Sequence, residues 1–151
     1  MTTQSPIIIA CSIDGHGGGK NLNEAALIKL LKDDKLAWVH LDATHPDTRG
    51  WLQQNVSYLD NIVLDALLAD ETRPRLMEIE EGALMILRGM NLNENAAPED
   101  MVSIRLWVDA HRIITLQRRS LKAVTDIHER LIDGRGPKES PYQRIQSELL
   151  V

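Results

Sequence analysis

His40, Asp42 and His45 make the best candidate metal cluster in this chain. Imidazole nitrogen and carboxylate oxygen suit Zn²⁺, and a site needs at least three such groups converging. His40 and Asp42 lie two apart on a predicted strand, so they share a face, and His45 follows within loop reach. The same residues also have a structural reading. Trp38, His40 and Asp42 then form the polar-tipped face of that strand, with Asp42 capping the next helix. Cys11, His16, His111 and His128 have no partner at ligand spacing and read as ordinary surface or core residues.

Two further patterns bear on anions. Asp14-Gly15-His16-Gly17-Gly18-Gly19-Lys20 follows a predicted strand and precedes a predicted helix, the setting of a phosphate cradle. A Walker loop, however, needs Gly where Asp14 stands and Ser or Thr where Asn21 stands, and Lys20 occupies the last Gly of the dinucleotide fingerprint. The Gly15–Lys20 loop therefore reads first as a strand-to-helix turn, with a soluble nucleotide- or phosphate-binding protein as the alternative. Thr72-Arg73-Pro74-Arg75 can clamp an oxyanion bidentately. It can equally be a loop in which Pro74 ends a helix and the arginines pair with Asp70 or Glu71. Arg88 and Arg105 are expected to make structural ion pairs with Asp100 or Glu78. No nucleophile elbow is present, and no Ser, His and Asp set stands out, so spacing locates no catalytic residues.

The elements that must hold these residues follow from periodicity. Ile7 to Ile13 is apolar and β-branched, a buried strand. Asn21 with Glu24 predicts a capping box for a helix bearing Leu22, Ala26, Leu27, Leu30 and Leu31. Leu36 to Leu41 is a second strand, and Thr44-His45-Pro46 predicts a helix start with Pro at its first position. Val63, Leu64, Leu67 and Leu68 give a further helical stripe. Arg75 to Glu80 and Ala83 to Leu92 predict a hairpin turning around Glu81-Gly82. Met101 to Asp109 alternates, with Val102, Ile104, Leu106 and Val108 on one face and Ser103, Arg105 and Trp107 on the other. His111 to Leu116 is its predicted hairpin partner. Ser120 predicts a cap for a helix carrying Leu121, Val124, Ile127 and Leu131, stopped by Gly134. Ser140-Pro141 predicts a fresh helix with Tyr142, Ile145 and Leu149 on one face, still running at Val151. The pattern is that of an excised domain over residues 1–137, followed by the start of a truncated helix over 138–151. The element order suggests a mixed sheet with helices on its faces.

Bulk composition narrows the class. One domain is expected at 151 residues, with 43% hydrophobic and 26% charged residues. A net charge of −5 argues against a nucleic-acid surface. The single cysteine rules out an internal disulfide framework and fits a reducing compartment. No run approaches the ~18 apolar residues of a spanning helix, so the chain as given is expected to be soluble and cytosolic.

Several separated blocks occur in a definite order: Trp38-Val39-His40-Leu41-Asp42, Leu67 to Arg75 ending in Glu71-Thr72-Arg73-Pro74-Arg75, Leu87-Arg88-Gly89-Met90-Asn91-Leu92-Asn93, Glu99 to Trp107, and Gly134-Arg135-Gly136-Pro137. In this order they resemble the cytoplasmic domain of CorA-type divalent metal ion transporters, in particular the ZntB-like zinc branch. The resemblance implies an α/β/α sandwich around a central mixed parallel/antiparallel sheet, followed by a stalk helix and two membrane helices. It further implies a homopentamer at the cytoplasmic face of the inner membrane, with Zn²⁺ or Mg²⁺ as the transported or regulatory ion and no enzymatic activity. Membrane contact is implied only through C-terminal helices outside these residues. Gly89-Met90-Asn91 matches the family's pore tripeptide in composition but follows a predicted strand, so a strand end and turn is expected there. A plain interaction module is the third reading, resting on an expected exposed face around Trp107 and Tyr142.

Overall fold

The β-branched run at the start of the chain forms strand β1, Ile7–Ile13, as its composition predicts. The computed structural model describes residues 5–33, 35–70, 73–79, 82–90 and 101–136, with Met90 and Met101 described through their backbone alone. Gly15 and Gly17 take positive φ, which folds the chain back into a short antiparallel strand, β2, Gly19–Asn21. The glycine loop is therefore a hairpin, not a strand-to-helix turn. Asn21 belongs to that hairpin, and the cap of helix α1, Glu24–Lys32, is instead Asn23, whose Oδ1 accepts from the Ala26 amide at 2.8 Å.

Strand β3, Ala37–Asp42, is followed by a turn in which Asp42 Oδ1 accepts from the Thr44 amide and hydroxyl. This turn delays helix α2 to Thr48–Asn55, two residues past the predicted Pro46 start. Helix α3, Asn61–Leu68, is capped by Asp60 onto the Val63 amide and buries the predicted Val63, Leu64 and Leu67. Four strands then run as an antiparallel meander: β4, Arg75–Ile79, β5, Gly82–Met90, β6, Met101–Val108, and β7, Arg112–Gln117. The expected hairpin is present, with Ile79 opposite Gly82. Helix α4, Lys122–Ile132, has Leu121 rather than Ser120 at its cap position. It ends as predicted at Gly134, at φ +79°, with the Arg135 amide on Arg130 O and the Gly134 amide on Leu131 O. The helix expected from Ser140 lies outside the described residues, as do Glu71, Thr72, Asn91 to Asp100, and Tyr142.

The sheet has seven strands in the order β2-β1-β3-β7-β6-β5-β4, and every pairing is antiparallel except β3 with β7. On one face Val39, Leu41, Ile114 and Leu116 pack under Leu27 and Leu31 of α1, Leu52 of α2 and Leu64 and Leu67 of α3. On the other, Cys11, Ile13 and Trp38 pack against Val124 and Leu131 of α4. This is the α/β/α sandwich around a mixed sheet that the residues and the resemblance led us to expect.

Strand β6 departs from what its alternation suggests, that the Val102, Ile104, Leu106 and Val108 face is the inner one. Its polar-tipped face is the more deeply covered, with Arg105 2% and Trp107 4% exposed, because it lies beneath the three-helix layer. Trp107 therefore offers no exposed docking face. Gly82 is required for its burial, since a Cβ there would stand 2.2 Å from Trp107 Cζ2. Gly82→Ala is expected to cost about 1–3 kcal/mol through overpacking. Thermal unfolding followed by tryptophan fluorescence checks this, and an unchanged midpoint would mean the ring yields freely.

Candidate functional site

The structure does not bring the three metal candidates together. His40 is fully buried, and both its ring nitrogens are engaged, Nδ1 with Thr115 Oγ1 and Nε2 with Gln117 Oε1, each at 2.7 Å. Trp38 Nε1 donates to the same Thr115 oxygen at 2.8 Å. A consistent proton order follows: the indole donates to the threonine, the threonine hydroxyl donates to Nδ1, and Nε2–H donates to the glutamine carbonyl. His40 is thus held neutral, with no lone pair for a metal. Burial lowers its pKa from 6.5, against the opposing pull of the Gln117 hydrogen bond and the Asp42 charge. Asp42 is spent on the turn at Thr44, and His45 Nδ1 accepts from the Asp47 amide at 3.0 Å. Among the described residues no group of three His, Cys, Asp or Glu side chains is arranged to hold a metal ion.

The glycine loop fails as a phosphate cradle for a visible reason. The Asp14 carboxylate accepts from the amides of His16, at 2.7 Å, and Gly18, at 3.0 Å. These two hydrogen bonds hold its pKa below the usual 3.8. The loop's donors already surround an anion belonging to the chain itself, so the nucleotide alternative loses its site. Cys11 and His128, unpaired in sequence reasoning, both meet Asn21: the thiol donates at 3.4 Å and His128 Nε2 at 2.7 Å to the same Oδ1. This ties α4 to the first hairpin. The thiol is not a nucleophile, because burial pushes it up to about 11.

A cleft of roughly 470 Å³ opens between the α2–α3 connection and the β6–β7 turn, lined by Tyr58, Asp60, Val63, Ile79, Trp107 and Arg112 among others. Its polar floor is Asp109. Asp109 Oδ1 accepts from the amides of His111 and Arg112, both at 2.9 Å, and closes the hairpin. Oδ2 takes the Tyr58 hydroxyl and, at 3.2 Å, Trp107 Nε1. Arg112 lies 5.1 Å over the Tyr58 ring and donates from Nε and Nη2 to Leu31 O, a free carbonyl at the end of α1. Burial, then the Asp109 bond, raise the Tyr58 pKa, so its hydroxyl stays protonated. Tyr58, Asp109 and Arg112 are consumed in joining three elements. The Tyr58–Asp109–Arg112 set acts as a structural lock, and sequence periodicity carried no signal for it, because Tyr58 and Asp109 are 51 residues apart.

By its architecture, then, this is the α/β/α domain type found as the soluble part of CorA transporters. The family model described as CorA-like Mg²⁺ transporter protein matches residues 33–148. The divalent cation transporter CmaX of Pseudomonas aeruginosa is 43% identical over 135 residues, covering 87% of this chain and 40% of that protein. The zinc transport protein ZntB of Klebsiella pneumoniae is 37% identical over 132 residues, covering 87% of this chain and 39% of that protein. In three dimensions the cytoplasmic domain of ZntB from Vibrio parahaemolyticus superposes with a TM-score of 0.76 at 30% identity, covering 95% of this chain and 56% of that one. The full-length CmaX structure gives a TM-score of 0.80 at 35% identity, over 99% of this chain and 50% of that one. The chain belongs to the CorA family of divalent metal ion transporters, and it spans about 40% of the length of these curated relatives. No helix among the described residues is long and apolar enough to cross a membrane. Gly89 and Met90 close β5 opposite Val102 and Met101, as the strand-end reading expects.

Two outcomes check the site. With the folded pKa of His40 below 6.5, the unfolded chain binds the extra proton as the medium acidifies. The stability held above about pH 6.5 is then lost as pH falls towards the lowered folded value. Melting temperatures across that window should drop for the native chain and stay flat for His40→Gln. Tyr58→Phe removes a donor from Asp109 and is expected to cost about 1–3 kcal/mol in urea unfolding; no loss would mean water replaces the hydroxyl without penalty.

Proposed function

We propose that this chain is the cytoplasmic domain of a homopentameric divalent cation transporter with zinc as its cargo. It lines the vestibule on the cytoplasmic face of the inner membrane. Residues 138–151 begin the stalk helix leading to membrane helices beyond Val151, and the domain performs no catalysis of its own. The single observation that carries this reading is the agreement in both sequence and fold with a ZntB cytoplasmic domain and with CmaX along nearly the whole chain. The internal use of the polar groups in the cleft and at His40 supports a scaffold role over a chemical one.

A cation-sensing role follows the same reading. In such a gate a regulatory ion would bridge carboxylates of adjacent subunits and favour one packing of the pentamer over another. Millimolar Zn²⁺ or Mg²⁺ is expected to shift sedimentation or the melting temperature of the 151-residue chain. No shift in either would remove sensing and leave the vestibule role standing. For transport itself, the full-length gene product in liposomes carrying a zinc-responsive dye should admit Zn²⁺. Its sequence past Val151 should hold two apolar runs of about 20 residues, with a Gly-Met-Asn-like tripeptide after the first. A stop codon directly after Val151 would overturn the assignment.

A further inference from the structure

One buried charge is left unanswered by everything above. Arg105 is 2% exposed, and its Nε and Nη1 have no hydrogen-bond partner among the described residues. A guanidinium is charged at any physiological pH, and burying it unpaired costs several kcal/mol. The expected partner Glu78 cannot serve. It stands opposite Ala83, which stands opposite Val108, so it belongs to the other face of the sheet. Asp70 is 88% exposed and bonds Arg118 at 3.1 Å. Asp100 lies outside the described residues.

The register gathers more positive charge at the same place. Arg75, Ile86, Arg105 and Leu116 stand directly opposite one another across β4, β5, β6 and β7, which puts both arginines on one face. Arg88 faces Ser103 one step along that face, and Arg118 follows the end of β7. With strands about 4.8 Å apart and a rise of about 6.7 Å per two residues, the Cα atoms of Arg88 and Arg105 are about 8 Å apart. That is within the joint reach of two arginine side chains. Among the described residues, Asp70 is the carboxylate that bonds Arg118 and acts electrostatically on Arg105. Helix α3 packs on β6 and ends beside Asp70, and its carbonyl end offsets part of this charge without bonding the buried nitrogens.

We propose that this end of the sheet binds a small tetrahedral oxyanion, inorganic phosphate or the phosphate of a monoester, with Arg105 as the floor and the exposed Arg88 and Arg75 as the rim. Forked guanidinium donors match paired oxygens, which favours an oxyanion over a halide. The proposal does not rest on the proposed function.

Calorimetry and thermal shift on the 151-residue chain test it, with sodium phosphate and glycerol 3-phosphate against sodium chloride at matched ionic strength. The expected result is a saturable rise in melting temperature with either phosphate and none with chloride. Tighter binding of the ester assigns the source to a phosphomonoester, and equal or weaker binding assigns it to free phosphate. Arg88→Gln, at an exposed position, should weaken binding about tenfold, the share of one charge-assisted hydrogen bond, and leave the ligand-free melting temperature unchanged. Arg105→Met should abolish the phosphate response, and if that variant does not fold, Arg88→Gln decides alone. No saturable response, an equal response to chloride, or an undiminished response in Arg88→Gln overturns the proposal.

Discussion

The parallel pairing of β3 with β7 is the contact on which the rest of the molecule depends. It is the one seam joining the β2-β1-β3 half of the sheet to the β7-β6-β5-β4 half, and it runs from Ala37 opposite Arg112 to Asp42 opposite Gln117. Backbone hydrogen bonds alone would leave its register free to slip, and a one-residue slip turns every side chain to the wrong face. The polar side chains prevent this. On the α4 face, Trp38, Thr115, His40 and Gln117 form a hydrogen-bonded chain across the seam, and on the other face Arg112 grips the Leu31 carbonyl at the end of α1. Each bond is made in only one register.

This arrangement explains why the residues best suited to chemistry are engaged within the chain itself. The histidine, threonine and tryptophan at the seam are buried where an unsatisfied polar atom would be costly, so their donors and acceptors are matched within the chain. Asp109, Tyr58 and Arg112 do the same between the hairpin turn, the α2–α3 connection and α1. Arg105 is the exception, since its buried Nε and Nη1 have no hydrogen-bond partner among the described residues.

Much of the fold was legible in the residues. Alternation and β-branching marked β1, β3, β6 and β7, the stripe Val63, Leu64, Leu67 marked α3, and Gly134 marked the end of α4, because each signal is local. The misreadings arose where two local signals competed or where a distant element decided. Asn21 and Asn23 are both fit to cap α1, and the choice was made by the glycine hairpin, which takes Asn21 into a strand. Pro46 is a good first helical residue, yet Asp42 holds the chain in a turn past it. Trp107 and Arg105 sit on the polar side of an alternating strand, and only the helices stacked above make that side the inner one. The metal candidates were the least legible, since His40 differs from a ligand only through Thr115 and Gln117, some 75 residues further along the chain.

That separation has a consequence for how the molecule comes into being. The meander from β4 to β7 is built of neighbouring hairpins that close short loops, whereas β3 must wait for a partner 75 residues downstream. On the ribosome the first three strands therefore emerge with the inner edge of β3 unpaired, its Val39 and Leu41 uncovered by their final neighbours. This half-sheet is the species most open to pairing with the wrong chain. Proline-free and without a charged side chain from Ala37 to Leu41, that edge has no guard of its own, and its protection during synthesis falls to the speed with which the hairpins behind it close and dock.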